Sequence, residues 1–174
     1  SYIEIETDVD NTLAETKIIQ SEENKIYHNF INLNKDYKTK SELLFLILNN
    51  YPDKDSYLQT TKETLLRLQE EYLYFVNITA QINPNSFIAR YVRSAQLPIT
   101  DASLKGKDQL NYLQSFTLDN VNFSDDVLIF SDAFTNKTIE YLSYYRNPQL
   151  PMGIIKKEFQ TAVDSILNKA KVND

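Results

Sequence analysis

Residues 56–82, SYLQTTKETLLRLQEEYLYFVNITAQI, hold the longest uninterrupted periodic run in the chain. Leu65, Leu68, Tyr72 and Phe75 recur at helical spacing and Val76 widens the stripe, so the segment reads as an amphipathic helix. Glu63, Arg67 and Glu71 stand four apart on the polar side, a spacing that permits successive ion pairs. A helix of this length needs partners to cover its apolar stripe, and the flanking sequence supplies them.

Upstream, Ser21 is a good N-cap and is followed by Glu22 and Glu23, where the helix dipole favours negative charge. Ile26, Phe30 and Leu33 then recur at helical spacing, with Tyr27 and Ile31 beside them. Ser41 is placed to cap a further piece carrying Leu43, Leu44, Ile47, Leu48 and Tyr51, so residues 22–51 read as one bent helix or two. Pro52 ends that element, because proline disfavours helix at the residue before it.

Downstream, Asn83-Pro84-Asn85 breaks the chain. Residues 86–93 form a short helix with Ile88, Tyr91 and Val92 inward. Residues 101–115 hold another helix that tolerates Gly106 near its start. Ser131 and Asp132 cap a helix carrying Phe134, Tyr141, Leu142 and Tyr145. After the Asn147–Pro151 turn, Ile155, Phe159, Ala162, Val163, Ile166 and Ala170 follow helical spacing closely.

The expected fold is all-α, a multi-helix bundle of about six or seven helices with a short N-terminal β segment. That segment comes from Ile3 to Val9, where apolar and acidic residues alternate, and from Lys17-Ile18-Ile19-Gln20, which can pair with it as a hairpin. Residues 1–20 thus read as a strand or hairpin remnant of a preceding β-rich module, and residues 21–174 as the helical domain.

Composition agrees. A chain of 174 residues with two glycines and five prolines has few breakers, which favours long helices over a many-stranded sandwich. The net charge of −6 argues against nucleic acid, whose phosphates require a basic face, and against an anionic membrane surface. No apolar run approaches the ~18 residues of a membrane span. With no cysteine, the chain has no disulfide, no thiolate nucleophile and no cysteine-ligated metal. It opens at Ser1 inside a strand pattern without a signal peptide, as a piece of a longer protein would.

Candidate chemistry is thin. The single histidine, His28, lacks the pattern of a phosphotransfer bundle, since Ile31 stands where a lysine is wanted, and it reads as structural. Asp8-Val9-Asp10-Asn11 and Asp53-Lys54-Asp55-Ser56 begin like calcium loops. Neither continues: Leu13 and Ile19 occupy the glycine and glutamate positions after Asp8, and Thr64 occupies the glutamate position after Asp53. No phosphate loop, nucleophile elbow or zinc-protease motif is present. Tyr141, Tyr144 and Tyr145 cluster as a sugar- or peptide-stacking platform would, yet their helical spacing favours core packing with wet hydroxyl tips. No catalytic, cofactor-binding or metal-binding residue is assigned.

The most site-like features are Arg90 and Arg93, three apart beside Tyr91, which can hold a carboxylate or tie their helix to acidic neighbours. The Asn122 to Asp125 loop is the second candidate. Together Arg90, Arg93, Tyr91, Asn122 and Asp125 form the candidate interaction surface.

Three stretches carry a resemblance: Ser21-Glu22-Glu23-Asn24; Asn83-Pro84-Asn85-Ser86; and above all Val121-Asn122-Phe123-Ser124-Asp125 with Phe134, Ile139, Tyr141 and Leu142 after it. Together they resemble the helical domain of unknown function that precedes the thioredoxin-like (AhpC/TSA-type) domain in envelope proteins of Bacteroidetes bacteria. The resemblance implies a β-rich domain before residue 21 and a thioredoxin fold after the helices. It also implies a periplasmic or envelope-associated location and a role as scaffold or client-recognition domain for a thiol–disulfide oxidoreductase. The expected partners are that thioredoxin-like domain in the same full-length chain, and envelope protein clients. The redox cysteines belong to the part beyond Asp174, so no catalytic residue carries over. The competing expectation is a free-standing peptide- or glycan-binding protein of the envelope with a tyrosine-lined groove.

Overall fold

The computed structural model describes residues 4–6, 10, 17–52 and 55–171. Among these it is helical: six α-helices and one 3-10 turn follow a two-stranded antiparallel ribbon. Strand β1 (Glu4–Glu6) pairs with β2 (Lys17–Gln20), with Ile5 opposite Ile18 and an irregularity between Glu4 and Ile5. The facing of Ile3 and Val9, and the aspartates at 8 and 53, lie outside the described residues.

Helix α1 (Glu22–Asn50) is continuous through all 29 residues. Ser21 caps it, accepting from the Asn24 amide at 3.3 Å, and takes a positive φ of 139° where the chain turns out of β2. The expected second cap at Ser41 is not one: its hydroxyl donates to the Lys38 carbonyl inside the helix. No glycine or proline interrupts residues 22–50, so nothing forces a break. The buried face runs Phe30, Tyr37, Ser41, Phe45 and Leu48. Leu43, expected inward, is 57% exposed; Phe45, two positions on, takes the core place instead.

Helix α2 (Ser56–Ile82) is capped by Asp55, whose carboxylate accepts from the Tyr57 and Leu58 amides. It returns antiparallel to α1, as the contacts Phe30 with Phe75, Tyr37 with Tyr72, and Phe45 with Leu65 require. Leu65, Tyr72 and Val76 are buried as the stripe predicts. The expected ladder through Glu63, Arg67 and Glu71 does not form among the described residues; Glu63 accepts from Gln59 instead.

Helix α3 (Phe87–Ala95), capped by the Ser86 hydroxyl, inserts Ile88, Tyr91 and Val92 into the main core with Phe30, Tyr37, Tyr72, Val76, Leu128 and Ala133. Helix α4 (Gly106–Phe116) has no side-chain cap and buries no side chain completely, with Tyr112, Leu113 and Gln114 half-buried. The 3-10 turn η1 (Leu128–Phe130) leads into α5 (Ala133–Ser143), which buries Ala133, Lys137 and Tyr141. Ser131 and Asp132 both serve that junction: the Ser131 hydroxyl accepts from the Ala133 amide, while Asp132 accepts from Tyr91.

Helix α6 (Met152–Lys171) packs on Leu118 and Tyr141 mainly through Ala162. Ile155, Phe159 and Ile166 are half-buried, but Val163 is 42% exposed and Ala170 is also outside. The helical spacing holds there, and the depth of burial is less than the spacing predicts.

Tyr72 joins three elements. Its ring stacks on Tyr37 with centroids 4.2 Å apart. Its hydroxyl donates to Asn34 Oδ1 on α1 at 2.8 Å and accepts from the Leu97 amide at 2.8 Å. Tyr72→Phe keeps the ring and leaves the half-buried Leu97 amide without that acceptor, which costs about 1 kcal/mol. Urea denaturation should move its midpoint down with an unchanged slope; an unchanged midpoint would contradict the bridging role.

Candidate functional site

The residues singled out from sequence divide between two places. Arg90 Nη1 donates to Asp125 Oδ1 at 3.0 Å, and the Asp125 side chain is only 10% exposed. The same oxygen accepts from the Val127 amide. Asn122 closes an Asx turn, its side-chain oxygen accepting from the Ser124 amide at 3.2 Å. The loop from 122 to 127 is therefore stitched by its own polar side chains and pinned to α3. Arg90 does hold a carboxylate, and it belongs to this chain.

Arg93 points elsewhere, donating to the Ala80 carbonyl on α2 at 3.0 Å. Tyr91 is inside the core, its ring against Tyr27 and Phe87 and its hydroxyl donating to Asp132 at 2.9 Å. His28 is half-buried and meets Asn32 on its own helix, as a structural histidine does. Of the tyrosine cluster, Tyr141 is buried and shares a hydroxyl–hydroxyl hydrogen bond with Tyr145, while Tyr144 turns to Glu140.

A second group was not anticipated. Lys137, with its side chain 2% exposed, donates to the Gln96 carbonyl at 2.6 Å and to Glu140 Oε2 at 2.9 Å. Tyr144 donates to the other oxygen of Glu140 at 3.1 Å. Burial pushes the Lys137 ammonium below its usual range, against the opposing pull of Glu140. Burial, then the charge and hydrogen bond of Glu140, drive the Tyr144 phenol upward. A signal for Lys137 existed: Ala133, Lys137 and Tyr141 stand four apart, so a buried face that begins and ends in those neighbours takes the lysine with it.

Glu140 and Tyr144 open onto a cleft of about 340 Å³ between α1, α4 and residues 97–100. Phe45, Leu97, Pro98 and Leu113 give it apolar walls, and Lys38 and Glu42 stand on α1 at its edge. Lys137 is not among the residues lining it, and its ammonium is committed to Gln96 and Glu140. The network can therefore fix a carboxylate in a cleft; the lysine does not reach a ligand there. Among the described residues, no group of three or more acids or histidine is placed to hold a metal ion. Among the same residues, no helix is long and apolar enough to cross a membrane.

No protein-family model, curated protein or solved structure matches the chain.

The buried phenols give the fold a pH signature. Burial pushes Tyr37 up to about 12 and drives Tyr72 and Tyr91 upward as well, as it does Tyr144. Unfolded, each ionises near 10.0. Between that pH and the raised native values the unfolded chain has released protons that the native state still holds. The contribution of these tyrosines to stability is therefore complete below pH 10.0 and falls as pH rises above it. Lys137 acts in the opposite direction: its native value is lowered, so stability rises with pH up to its unfolded value of 10.5. Phenolate absorbance should report some of the 12 tyrosines ionising near pH 10.0 and the rest only as helical circular dichroism is lost. A single step with the helices intact would contradict the burial.

Proposed function

We propose that the chain is a non-catalytic scaffold or recognition domain that works beside a thioredoxin-like thiol–disulfide oxidoreductase domain of the same polypeptide, in the bacterial envelope. The pattern through Asn122-Phe123-Ser124-Asp125 and the following helix suggests that setting. The observation that carries a recognition role is the adjoining turn. Leu128 is fully buried and Asp125 is locked to Arg90, yet Val127 and Ile129 are exposed and Phe130 is 93% exposed. A turn anchored at both ends that holds an aromatic ring in solvent is pre-organised to meet a partner, and loses little freedom when it does.

The absence of cysteine supports a non-catalytic part in the redox chemistry, as do the internal commitments of Arg90, Arg93 and Lys137. A free-standing peptide- or glycan-binding role is the competing reading, and the cleft beside Tyr144 favours it.

The test begins with the native gene product, recovered from source cells with an antibody to this domain. A mass well above 20.3 kDa with a cysteine-containing C-terminal part is expected; a product of 20.3 kDa would overturn the accessory reading. In the full-length protein, Phe130→Ser should abolish cross-linking between the helical and redox parts. Stability should stay within about 0.5 kcal/mol, since an exposed ring contributes little to folding. Undiminished cross-linking would remove the turn from the interface.

A further inference from the structure

We propose that the protein surface met by the turn at Phe130 is a basic one: an apolar hollow that takes Ile129 and Phe130, rimmed by lysine or arginine side chains. This chemistry rests on the recognition role assigned to the turn above and specifies what the turn meets.

The first ground is the firmness of the projection. Leu128 is fully buried in the main core with Phe30, Tyr91 and Ala133, while Ile129 and Phe130 stand in solvent. The Leu128 amide donates to the Asp125 carbonyl at 3.0 Å. The Ser131 amide and hydroxyl both donate to the Leu128 carbonyl, at 3.0 and 2.7 Å. Two adjacent apolar side chains are thus held out by a turn that is closed on both sides. A hollow covers such a knob, whereas a flat face would leave the ring edge wet.

The second ground is charge. Asp125 and Asp126 precede the turn and Asp132 follows it. Ser131 and Asp132 also line a cleft of about 320 Å³ that carries the surface on to Glu23 of α1 and Phe87 of α3, and no lysine or arginine lines it. The cations of this end are already engaged. Arg90 holds Asp125, Lys25 holds Glu22, and Arg93 turns to the Ala80 carbonyl on α2. Among the described residues Asp126, Asp132 and Glu23 make no ion pair, and Asp132 accepts only from the neutral Tyr91 and Asn136. Covering such carboxylates with an apolar or acidic surface is costly, whereas lysine or arginine on the facing rim makes the same charges attractive. A second copy docked about a two-fold axis would set its own acids against these, and anionic headgroups or phosphates would be repelled likewise.

The experiment places a photo-cross-linking benzoylphenylalanine at position 129 of the full-length native protein and maps the linked peptides by mass spectrometry. The linked peptide should lie outside residues 1–174 and carry lysine or arginine beside the attachment point. Asp126→Asn should lower the cross-linked fraction severalfold and Asp126→Lys about tenfold. The melting temperature should not change, because Asp126 is exposed and makes no ion pair. Raising NaCl from about 0.05 M to about 0.5 M should weaken linking more in the unsubstituted protein than in Asp126→Lys. Phe130→Ser separates the two claims. If it abolishes linking while charge and salt change nothing, the turn docks and the basic face is overturned. If linking survives Phe130→Ser, or none forms at all, the recognition role is overturned as well. Attachment to a second copy of this chain, or to a peptide without lysine or arginine, would also contradict the basic face.

Discussion

The stacked pair of Tyr37 and Tyr72, with the Tyr72 hydroxyl shared between Asn34 and the Leu97 amide, is the constraint on which the rest of the bundle depends. Two long helices joined by a short connector can slide against each other, because leucine-like side chains pack in several registers. A buried phenol with two hydrogen-bond partners resists sliding, since a displaced hydroxyl would give up both Asn34 and the half-buried Leu97 amide. The same hydroxyl fixes the chain as it leaves α3. Gln69 then holds the Thr100 carbonyl at 2.7 Å, and Lys137 holds that of Gln96. Residues 96–100 are therefore tied to α2 and α5 through their backbone, and the cleft takes its shape from them.

Packing weakens away from this centre. The core of α1, α2 and α3 is aromatic and closed, with Phe30, Tyr72, Tyr91 and Val92 all but fully buried. No buried side-chain nitrogen or oxygen among the described residues lacks a partner. By contrast α4 is attached through polar bonds and α6 chiefly through Ala162, with Met152, Ile154 and Leu167 exposed along it. Local opening follows the distribution of buried apolar contacts, so these two helices form the low-stability end of the molecule. The turn at Phe130 holds its exposed ring away from this centre while its Leu128 is buried in it.

Periodicity made most of the fold legible. Leu65, Tyr72 and Val76, and Ile88, Tyr91 and Val92, were placed inward by spacing alone because these positions obey the helical repeat without competing signals. The Asn83-Pro84-Asn85 and Asn147–Pro151 breaks were legible for the same reason that proline and asparagine disfavour helix. Ser41 misled because serine is both a good cap and a tolerable helix residue when its hydroxyl turns back to its own backbone. Lys137 was missed because a charged residue is normally assigned to solvent, and only tertiary partners such as Gln96 and Glu140 make its burial tolerable. The pairing of Arg90 with Asp125 was legible only as an open choice, since 35 residues separate them and no local rule selects the partner.

Native-state hydrogen exchange tests the central claim most directly, because it resolves opening free energies helix by helix. If the Tyr37–Tyr72 contact organises the bundle, amides of α1 and α2 around these residues exchange only through global unfolding. Those of α4 and α6 exchange through smaller, independent openings, and Tyr72→Phe lowers the protection of α1, α2 and α3 together. Protection as high in α4 and α6 as in the α1–α2 pair, or a Tyr72→Phe effect confined to α2, would contradict it.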